Sequence, residues 1–286
     1  MPASDSPLLT QLSLNSEPYH DPLAQLDWAA LSLDEAWLPD SALSLTGVAE
    51  FEAQSALVKL RLSQYEFINF IEAGLWLEAI FIRRLGALLQ GAASRAEYAY
   101  QLHEIREEAG HSLMFLKLME RSGLHLPLAP APRLANWLGR YVPVDSVLFW
   151  LAATLGEEVP DKLNRHVRVQ GGGVNPLIRQ MCTLHIMDEA RHIARARSEL
   201  EMRAARLSPW SRALLRPLAM VVTQSLVRRF YVPRPAVYEL AGLTPGVRWQ
   251  RLARTNPARI AFVQQALQPT LQALAGCGIT LGPCTL

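Results

Sequence analysis

Residues 185–192 read His-Ile-Met-Asp-Glu-Ala-Arg-His and lie in a stretch rich in helix-forming residues. Each residue of an α-helix turns the side chain by about 100°, so His185, Glu189 and His192 project within about 60° of one another. The flanking residues on this face are apolar: Met181, Leu184, Ala196 and Leu200. Because a buried charge is costly unless it is paired or binds a metal ion, the pattern predicts metal ligands on a helix that faces the core.

A second segment repeats the spacing of Glu189 and His192. Residues 108–111 read Glu-Ala-Gly-His, with Glu108 and His111 three positions apart. Such residues lie side by side on a helix, so the carboxylate can bridge two metal ions while the imidazole binds one of them. A single copy is typical of a solvated helix face. Two copies on separate helices, each accompanied by a glutamate from a further helix, are the ligand plan of di-metal carboxylate bundles.

This plan requires one glutamate from the first long helix. That helix offers Glu66, Glu72 and Glu78. We predict Glu72, because it follows the apolar segment 67–71, and Glu78 is the next alternative.

The third long helix offers the adjacent pair Glu157 and Glu158. An apolar stripe through Val147, Leu151 and Leu155 continues to Glu158, so we favour Glu158 over Glu157. Asp188 and Glu107 each precede one of the motif glutamates directly. We expect Asp188 to accept a hydrogen bond from His111 and Glu107 to accept one from His192, which would orient both rings.

The fold is predicted to be all-α, because no alternating apolar pattern bounded by turns indicates a strand. The predicted helices span residues 51–90, 95–122, 134–141, 144–169, 175–206, 209–230, 234–241 and 257–275. Asn175 and Pro176 are a typical N-cap and first helical residue. The long connection 123–143 favours a ferritin-like four-helix bundle with additional helices, since such bundles need one long crossover between the second and third helices.

The first 45 residues are rich in proline and serine, and we predict an irregular N-terminal arm over 1–45 that packs on a single helical domain over 46–286. A short helix is expected near 23–31. The chain of 286 residues is 50% hydrophobic and 19% charged, which excludes a disordered protein. A net charge of +2 gives no indication of nucleic-acid binding.

No apolar run is long enough to span a bilayer, and no secretory signal precedes the first helices. Three widely spaced cysteines suit a reducing compartment. The expected localisation is therefore cytoplasmic, without a membrane partner.

The predicted ligands resemble those of the p-aminobenzoate N-oxygenase family of di-iron oxygenases. The set is Glu72, Glu108, His111, Glu158, His185, Glu189 and His192. His185 matches a third histidine of that family, and the resemblance covers about residues 51–230. It implies a homodimer with two iron ions that uses O₂ to oxidise an aryl amine towards a nitro compound, with electrons from a separate ferredoxin or reductase.

Other functions fit the same ligands. The bundle could instead hydroxylate or desaturate a C–H substrate, or bind iron without catalysis, and manganese could replace iron. A metal-free helical scaffold is the remaining alternative. An aryl carboxylate substrate would need a polar partner in an apolar pocket, and the candidates on the relevant segments are Arg83, Arg106, Arg191, Tyr65 and Tyr231.

Overall fold

The computed structural model describes residues 7–128 and 133–286. In chain order its α-helices are α1 (Pro7–Ser16), α2 (Pro22–Gln25), α3 (Ala49–Glu52), α4 (Ala56–Leu89), α5 (Arg95–Ser122), α6 (Arg133–Tyr141), α7 (Val147–Gln170), α8 (Pro176–Ala204), α9 (Pro209–Tyr231), α10 (Pro235–Leu240), α11 (Gly246–Thr255) and α12 (Pro257–Gly276). Within the described ranges there is no β-strand, and one isolated bridge pairs Ala36 with Val174.

The four longest predicted helices form the bundle. Helix α4 packs along α5 and α7 packs along α8, and these two pairs face each other through contacts of α5 with α8 and of α4 with α7. The connection from α5 to α7 is long and contains α6, whereas α4–α5 and α7–α8 are joined by short turns. The prediction of an all-α, ferritin-like bundle with additional helices is therefore confirmed.

Local sequence signals set the helix ends. Ser55, Ser94 and Ser146 each accept a hydrogen bond from a backbone N–H in the first turn of α4, α5 and α7. Asn175 caps α8 in the same way, as predicted, with Leu177 N 3.1 Å from its Oδ1. Gly123 ends α5 with a φ of 67°, a left-handed conformation that glycine adopts at little cost.

The N-terminal arm is not irregular throughout, which corrects the prediction in part. Pro7–Ser16 is a helix that packs on α5 and α8. Proline breaks a helix in its interior, but at the first helical position its missing N–H costs nothing and its fixed φ suits a helix. Further along the arm, both carboxylate oxygens of Glu66 lie 3.1 Å from Ser44 N. Glu66 therefore holds the arm on α4.

The remaining helices cover the bundle. Helix α9 packs on α7 and α4, and α12 packs on α7. As a result, α7 is buried on several faces rather than one. Helix α11 was not predicted, and its Trp249 and Ala253 are buried. In the described part of the chain, every helix is too short or too polar to cross a membrane.

Candidate metal centre

Buried carboxylates and imidazoles from all four bundle helices meet at one place in the core. The side chains are Glu78, Glu108, His111, Glu157, His185, Glu189 and His192. Each of them is at most 5% exposed. Their donor atoms form two groups, each lying within 4.8 Å, and Glu189 belongs to both. The structure thus brings together five of the seven residues predicted from the sequence.

The first group surrounds two of the imidazoles. His111 Nδ1 lies 3.5 Å from Glu108 Oε2 and 3.5 Å from Glu189 Oε1. His185 Nε2 lies 3.6 Å from Glu189 Oε1 and 3.6 Å from Glu78 Oε1. Two nitrogens and several carboxylate oxygens therefore converge on a single small volume.

The second group surrounds the third imidazole and includes Glu157. His192 Nδ1 lies 3.3 Å from Glu108 Oε1 and 3.8 Å from Glu189 Oε2. Glu108 and Glu189 thus each direct one oxygen to the first group and the other oxygen to the second. This is the arrangement expected of carboxylates that bridge two metal ions.

Several donor atoms of the cluster have no hydrogen-bond partner among the described residues. They are both oxygens of Glu108, Oε2 of Glu189, Nδ1 of His111 and Nδ1 of His192. Buried polar atoms are rarely left unpaired, and each such atom costs free energy. Bound metal ions would satisfy all of them. Imidazole and carboxylate donors in this mixture suit iron and manganese.

Glu72 does not reach the cluster, which corrects its predicted place. Leu126 N donates to Glu72 Oε1 over 3.2 Å, and Arg234 donates to Glu72 Oε2. Glu72 and Glu78 are six residues apart, which is about 240° around a helix, so they lie on different faces. Glu78, the alternative, faces the bundle interior.

Glu158 also points away from the cluster, and Glu157 takes the predicted place. Arg197 Nε donates to Glu158 Oε1 and Thr270 Oγ1 donates to Glu158 Oε2, each over 2.5 Å. Leu151 and Leu155 of the stripe that indicated Glu158 are buried, but the Glu158 carboxylate is held by Arg197 of α8 and Thr270 of α12. Because α7 is buried on several sides, apolar neighbours could not distinguish between the two glutamates.

The two predicted contacts of the histidine rings with carboxylates outside the cluster are both present. His111 Nε2 lies 3.2 Å from Asp188 Oδ2, and His192 Nε2 lies 2.9 Å from Glu107 Oε2. One nitrogen of Arg191 donates to both carboxylates, over 2.8 Å to Glu107 Oε1 and 2.6 Å to Asp188 Oδ1. A single guanidinium therefore links the carboxylates that position the two imidazoles.

The third imidazole has a partner that sequence analysis missed. Asn164 Nδ2 lies 3.1 Å from His185 Nδ1. Asn164 is seven residues after Glu157, two helical turns along the same face of α7. The seven-residue spacing from Glu157 is therefore the sequence signal that identifies Asn164.

The cluster perturbs the ionisation of its members. Burial and the neighbouring His111 lower the pKa of His185 to about 4. Burial opposes the charged form of His111 too, but its hydrogen bond to Asp188 and the nearby carboxylates raise its pKa to about 10. Burial and the adjacent carboxylates Glu108 and Glu189 raise the pKa values of Glu78 and Glu157 well above the ordinary range. Perturbed pKa values of this kind are typical of functional sites.

A small cavity adjoins the cluster on the side of Glu78 and Glu157, with a volume of about 10 Å³. Its other walls are apolar and include four aromatic rings: Phe70, Phe81, Phe115 and Phe230. The rings of Phe115 and His185 stack with their centroids 5.7 Å apart. These apolar walls separate the cluster from bulk water.

The five polar candidates for substrate binding do not line this cavity. Arg83 is exposed and Tyr65 is partly buried. Arg106 donates to Ser16 O over 2.5 Å and Tyr231 donates to Val159 O over 2.8 Å. Arg191 is engaged with the two carboxylates described above.

Comparisons with known proteins identify the family of this chain. A family model described as P-aminobenzoate N-oxygenase AurF matches residues 4–278. The uncharacterized protein Rv0885 of Mycobacterium tuberculosis is 30% identical over 238 residues, which cover 79% of this chain and 67% of that protein. The uncharacterized protein Mb0909 of Mycobacterium bovis matches to the same extent.

Two solved structures of R2-like ligand-binding oxidase mutants, with a Mn/Fe cofactor reconstituted aerobically or anaerobically, each give a TM-score of 0.47 at 14% identity. These alignments cover 98% of this chain and 88% of the other chain. The match of the family model over nearly the whole length decides the assignment. The chain belongs to the p-aminobenzoate N-oxygenase AurF family and has the buried carboxylate and histidine cluster that a di-metal oxidase requires.

Proposed function

We propose that this protein is an oxygenase that uses O₂ at a pair of iron ions to oxidise the nitrogen of an aryl amine towards a nitro compound. One observation carries the di-metal part of the proposal: Glu108 and Glu189 each offer one oxygen to either side of the cluster. The family description supports the choice of an aryl amine.

The proposed ligands follow from the two groups of donor atoms. Glu78, His111 and His185 would hold one ion, Glu157 and His192 would hold the other, and Glu108 and Glu189 would bridge them. Four carboxylates neutralise two divalent ions, which suits a site without access to water. The metal pair, when bound, supplies the redox chemistry that reduces O₂. Manganese fits the same donors.

The chemistry must balance in atoms and electrons. In the first oxidation of an amine, one oxygen atom of O₂ forms a bond to nitrogen and the other leaves as water. That step consumes two electrons and two protons in addition to O₂. We propose that a separate ferredoxin or reductase delivers the electrons.

The protein's own side chains have defined tasks in this proposal. Asp188, Glu107 and Asn164 hold the three imidazoles in the orientation that metal binding needs. Phe115 and Phe230 keep water away from the cluster. A dry site strengthens every electrostatic interaction within it.

C–H hydroxylation or desaturation is the second candidate reaction. Apart from the proposed ligands themselves, no polar side chain lines the small cavity beside the cluster in the described part of the chain. Such walls suit an apolar substrate as well as an amine.

We also propose a homodimer located in the cytoplasm. The three cysteines are unpaired in the structure, which is consistent with a reducing compartment. Trp210, Leu214 and Leu218 form an exposed apolar stripe on α9 that a second copy could cover. Size-exclusion chromatography with light scattering tests this. A large shell would instead support an iron-storage function.

The central test combines metal analysis with turnover. The protein is reconstituted with Fe²⁺ without O₂, its bound metal is counted, and reduced protein is exposed to O₂ with a panel of aryl amines and mass detection of products. We expect two metal ions per chain, O₂ consumption and products heavier by oxygen. Absence of bound iron and manganese would refute the di-metal assignment, and hydroxylated carbon products alone would favour the second reaction.

A further inference from the structure

A second cavity lies beside the metal centre, between α4, α6, α7 and α9. Its volume is about 90 Å³, and its walls are mainly apolar, formed among others by Ile80, Leu148 and Leu226. An engineered apolar cavity of ~150 Å³ binds benzene or xenon. The smaller cavity of this protein is therefore a poor fit for an aromatic ring, but it has room for a diatomic molecule.

A thin partition separates this cavity from the cluster. Leu77 and Phe81 line both the second cavity and the small cavity at the ligands. Leu77 directly precedes Glu78, and a Cβ atom placed on Gly156 would be 2.7 Å from Phe81 Cζ. Glycine at position 156 therefore lets the Phe81 ring reach the wall next to Glu157. A molecule in the second cavity has only these two apolar side chains between it and the space at the ligands.

The opposite side of the cavity reaches the surface of the protein. Trp76, Ala152 and Val222 line the cavity and are each partly exposed, whereas the seven clustered side chains at the metal centre are at most 5% exposed. Protein interiors are close-packed and contain few voids. A void that extends from the surface to the wall of the cluster is therefore a path through the packing.

The charged residue that lines the cavity directs its polar atoms elsewhere. Arg84 NH1 donates to Arg140 O over 2.8 Å, and NH2 donates to Val142 O. Arg84 Nε has no hydrogen-bond partner among the described residues. A single donor is too little to hold a water molecule, which needs about two to four polar partners in a cavity.

The other polar side chains of the wall are also engaged. Trp76 Nε1 donates to Asn136 Oδ1 over 2.7 Å, and Ser225 Oγ donates to Val221 O over 2.7 Å. Neither donor is available to a molecule inside the cavity. The space consequently favours an apolar occupant over water.

We propose that the second cavity is a binding site for O₂ on its way to the metal cluster, and that Leu77 and Phe81 form the partition that O₂ crosses. The proposal rests on the oxygenase function above and adds the place where the gaseous substrate is held. O₂ is small, uncharged and apolar, so its transfer from water into an apolar space is favourable. The cavity raises the concentration of O₂ next to the ligands and disfavours water and ring-sized molecules.

Xenon tests the binding site without metal or turnover, because this apolar atom enters dry protein cavities. Crystals of the full-length protein, with or without metal, should bind xenon under pressure in the second cavity. Ala152→Phe fills the cavity and should abolish that xenon site. Ala152→Ser keeps the space and is the matched control. Ordered water instead of xenon in the unmodified protein would overturn the proposal.

Stopped-flow mixing of the reduced, iron-loaded protein with O₂ tests the passage to the cluster. Ala152→Phe should slow the reaction with O₂ by about tenfold, since a close-packed interior offers few other voids, and Ala152→Ser should not slow it. Val222→Phe fills the cavity from α9 and should act like Ala152→Phe. Phe81→Leu shortens the partition and should accelerate the reaction. An unchanged rate in a variant that has lost the xenon site would overturn the proposal.

A structural effect of the larger side chain predicts a different pattern. Iron content and the affinity for 4-aminobenzoate, measured by isothermal titration calorimetry, should be equal in Ala152→Phe and Ala152→Ser. Weaker binding of 4-aminobenzoate in Ala152→Phe would show that the cavity admits the organic substrate and would overturn its restriction to O₂. If neither phenylalanine variant folds, xenon binding by the unmodified protein and the rate of Phe81→Leu still decide.

The outcomes separate this proposal from the proposed function. A protein that takes up xenon but never reacts with O₂ would refute the oxygenase function and leave the gas-binding cavity in place. A protein that reacts with O₂ at the full rate after its cavity is filled would refute the cavity alone.

Discussion

The side-chain amide of Asn164 lies 3.1 Å from His185 Nδ1, while His185 Nε2 is turned towards the carboxylates of the cluster. In the structure the amide nitrogen Nδ2 faces Nδ1. If Nε2 binds a metal ion, Nδ1 carries the ring proton, and the Asn164 amide must turn over so that its oxygen accepts that proton. Asn164→Leu should therefore lower metal affinity by about 10–100-fold, the usual effect of losing a partner behind a ligand. Competition with a chromophoric chelator measures the metal affinity. Asn164→Asp retains an acceptor and should bind metal like the unmodified protein, so equal loss in both variants would contradict this role.

On α4 and on α7, the sequence left two glutamates as the leading candidates for one ligand position. Substituting each of the four in turn compares a proposed ligand with its neighbour. Glu78→Gln and Glu157→Gln remove charges that we place on the metal ions, so the protein should hold fewer metal ions after reconstitution and dialysis. Glu72→Gln and Glu158→Gln remove charges that pair with Arg234 and Arg197, and should leave the metal content unchanged. Elemental analysis decides. If Glu72→Gln and Glu158→Gln lost metal while Glu78→Gln and Glu157→Gln kept it, the ligand assignment would be reversed.

Arg191 joins Glu107 and Asp188 and thereby holds two histidines at once. Arg191→Met should lower the free energy of unfolding by about 3–5 kcal/mol, the range for breaking a buried ion pair. It should also weaken metal binding, because both imidazoles lose orientation. Chemical denaturation and metal titration measure the two effects. The exposed Arg168→Met is the control and should change neither quantity.

Metal binding should release protons. In the metal-free cluster the pKa of His111 is raised to about 10, so its ring holds a proton at pH 7. Burial and the neighbouring carboxylates also raise the pKa values of Glu78 and Glu157, and the carboxylates around His192 raise the pKa of its ring. Metal ions must displace the proton of His111, so metal affinity should fall as the pH falls.

The size of the proton release has a definite pH dependence. When metal is added at pH 7 in weak buffer with an indicator dye, the proton of His111 should appear, because its pKa is raised to about 10. Above about pH 10 the contribution of His111 should vanish, because its ring is then already neutral. Metal uptake at pH 7 without proton release would contradict this ionisation pattern.

Gly156 should be intolerant of a side chain, since a Cβ atom there would meet Phe81 Cζ at 2.7 Å. Gly156→Ala should destabilise the protein by about 1–3 kcal/mol, as overpacking of a core usually does. Gly86→Ala is the control: it lies inside α4, nothing lies within 4 Å of the added Cβ, and alanine favours a helix by about 1 kcal/mol over glycine. The thermal unfolding temperature should fall in Gly156→Ala and rise in Gly86→Ala. A stabilised Gly156→Ala protein would show that Phe81 moves freely.

Most of the fold could be predicted because its signals are local. Serine caps, Gly123 and the Asn175–Pro176 pair set the ends of the bundle helices, and the spacing of each Glu-x-x-His motif identifies the inner face of α5 and α8. Both features depend on neighbouring residues in the chain, which a sequence shows directly.

The two errors at the metal centre have a common physical cause: they concern helices that are apolar on more than one face. On α7 an apolar stripe led to Glu158, but the Glu158 carboxylate is held by Thr270 of α12, which lies more than 85 residues further along the chain. On α4, Glu72 has apolar neighbours and is held by Arg234. Which apolar face encloses the metal ligands depends on contacts between distant segments.

The two shared carboxylates affect how the protein takes up its metal ions. Glu108 and Glu189 each present one oxygen to either side of the cluster, so the first ion to arrive fixes both carboxylates in the pose that the second ion needs. Uptake should therefore be cooperative, and half-filled molecules should be scarce at every metal concentration. Such a protein would pass between an empty and a complete form, with little opportunity for a lone ion to perform uncontrolled one-electron reactions in its interior.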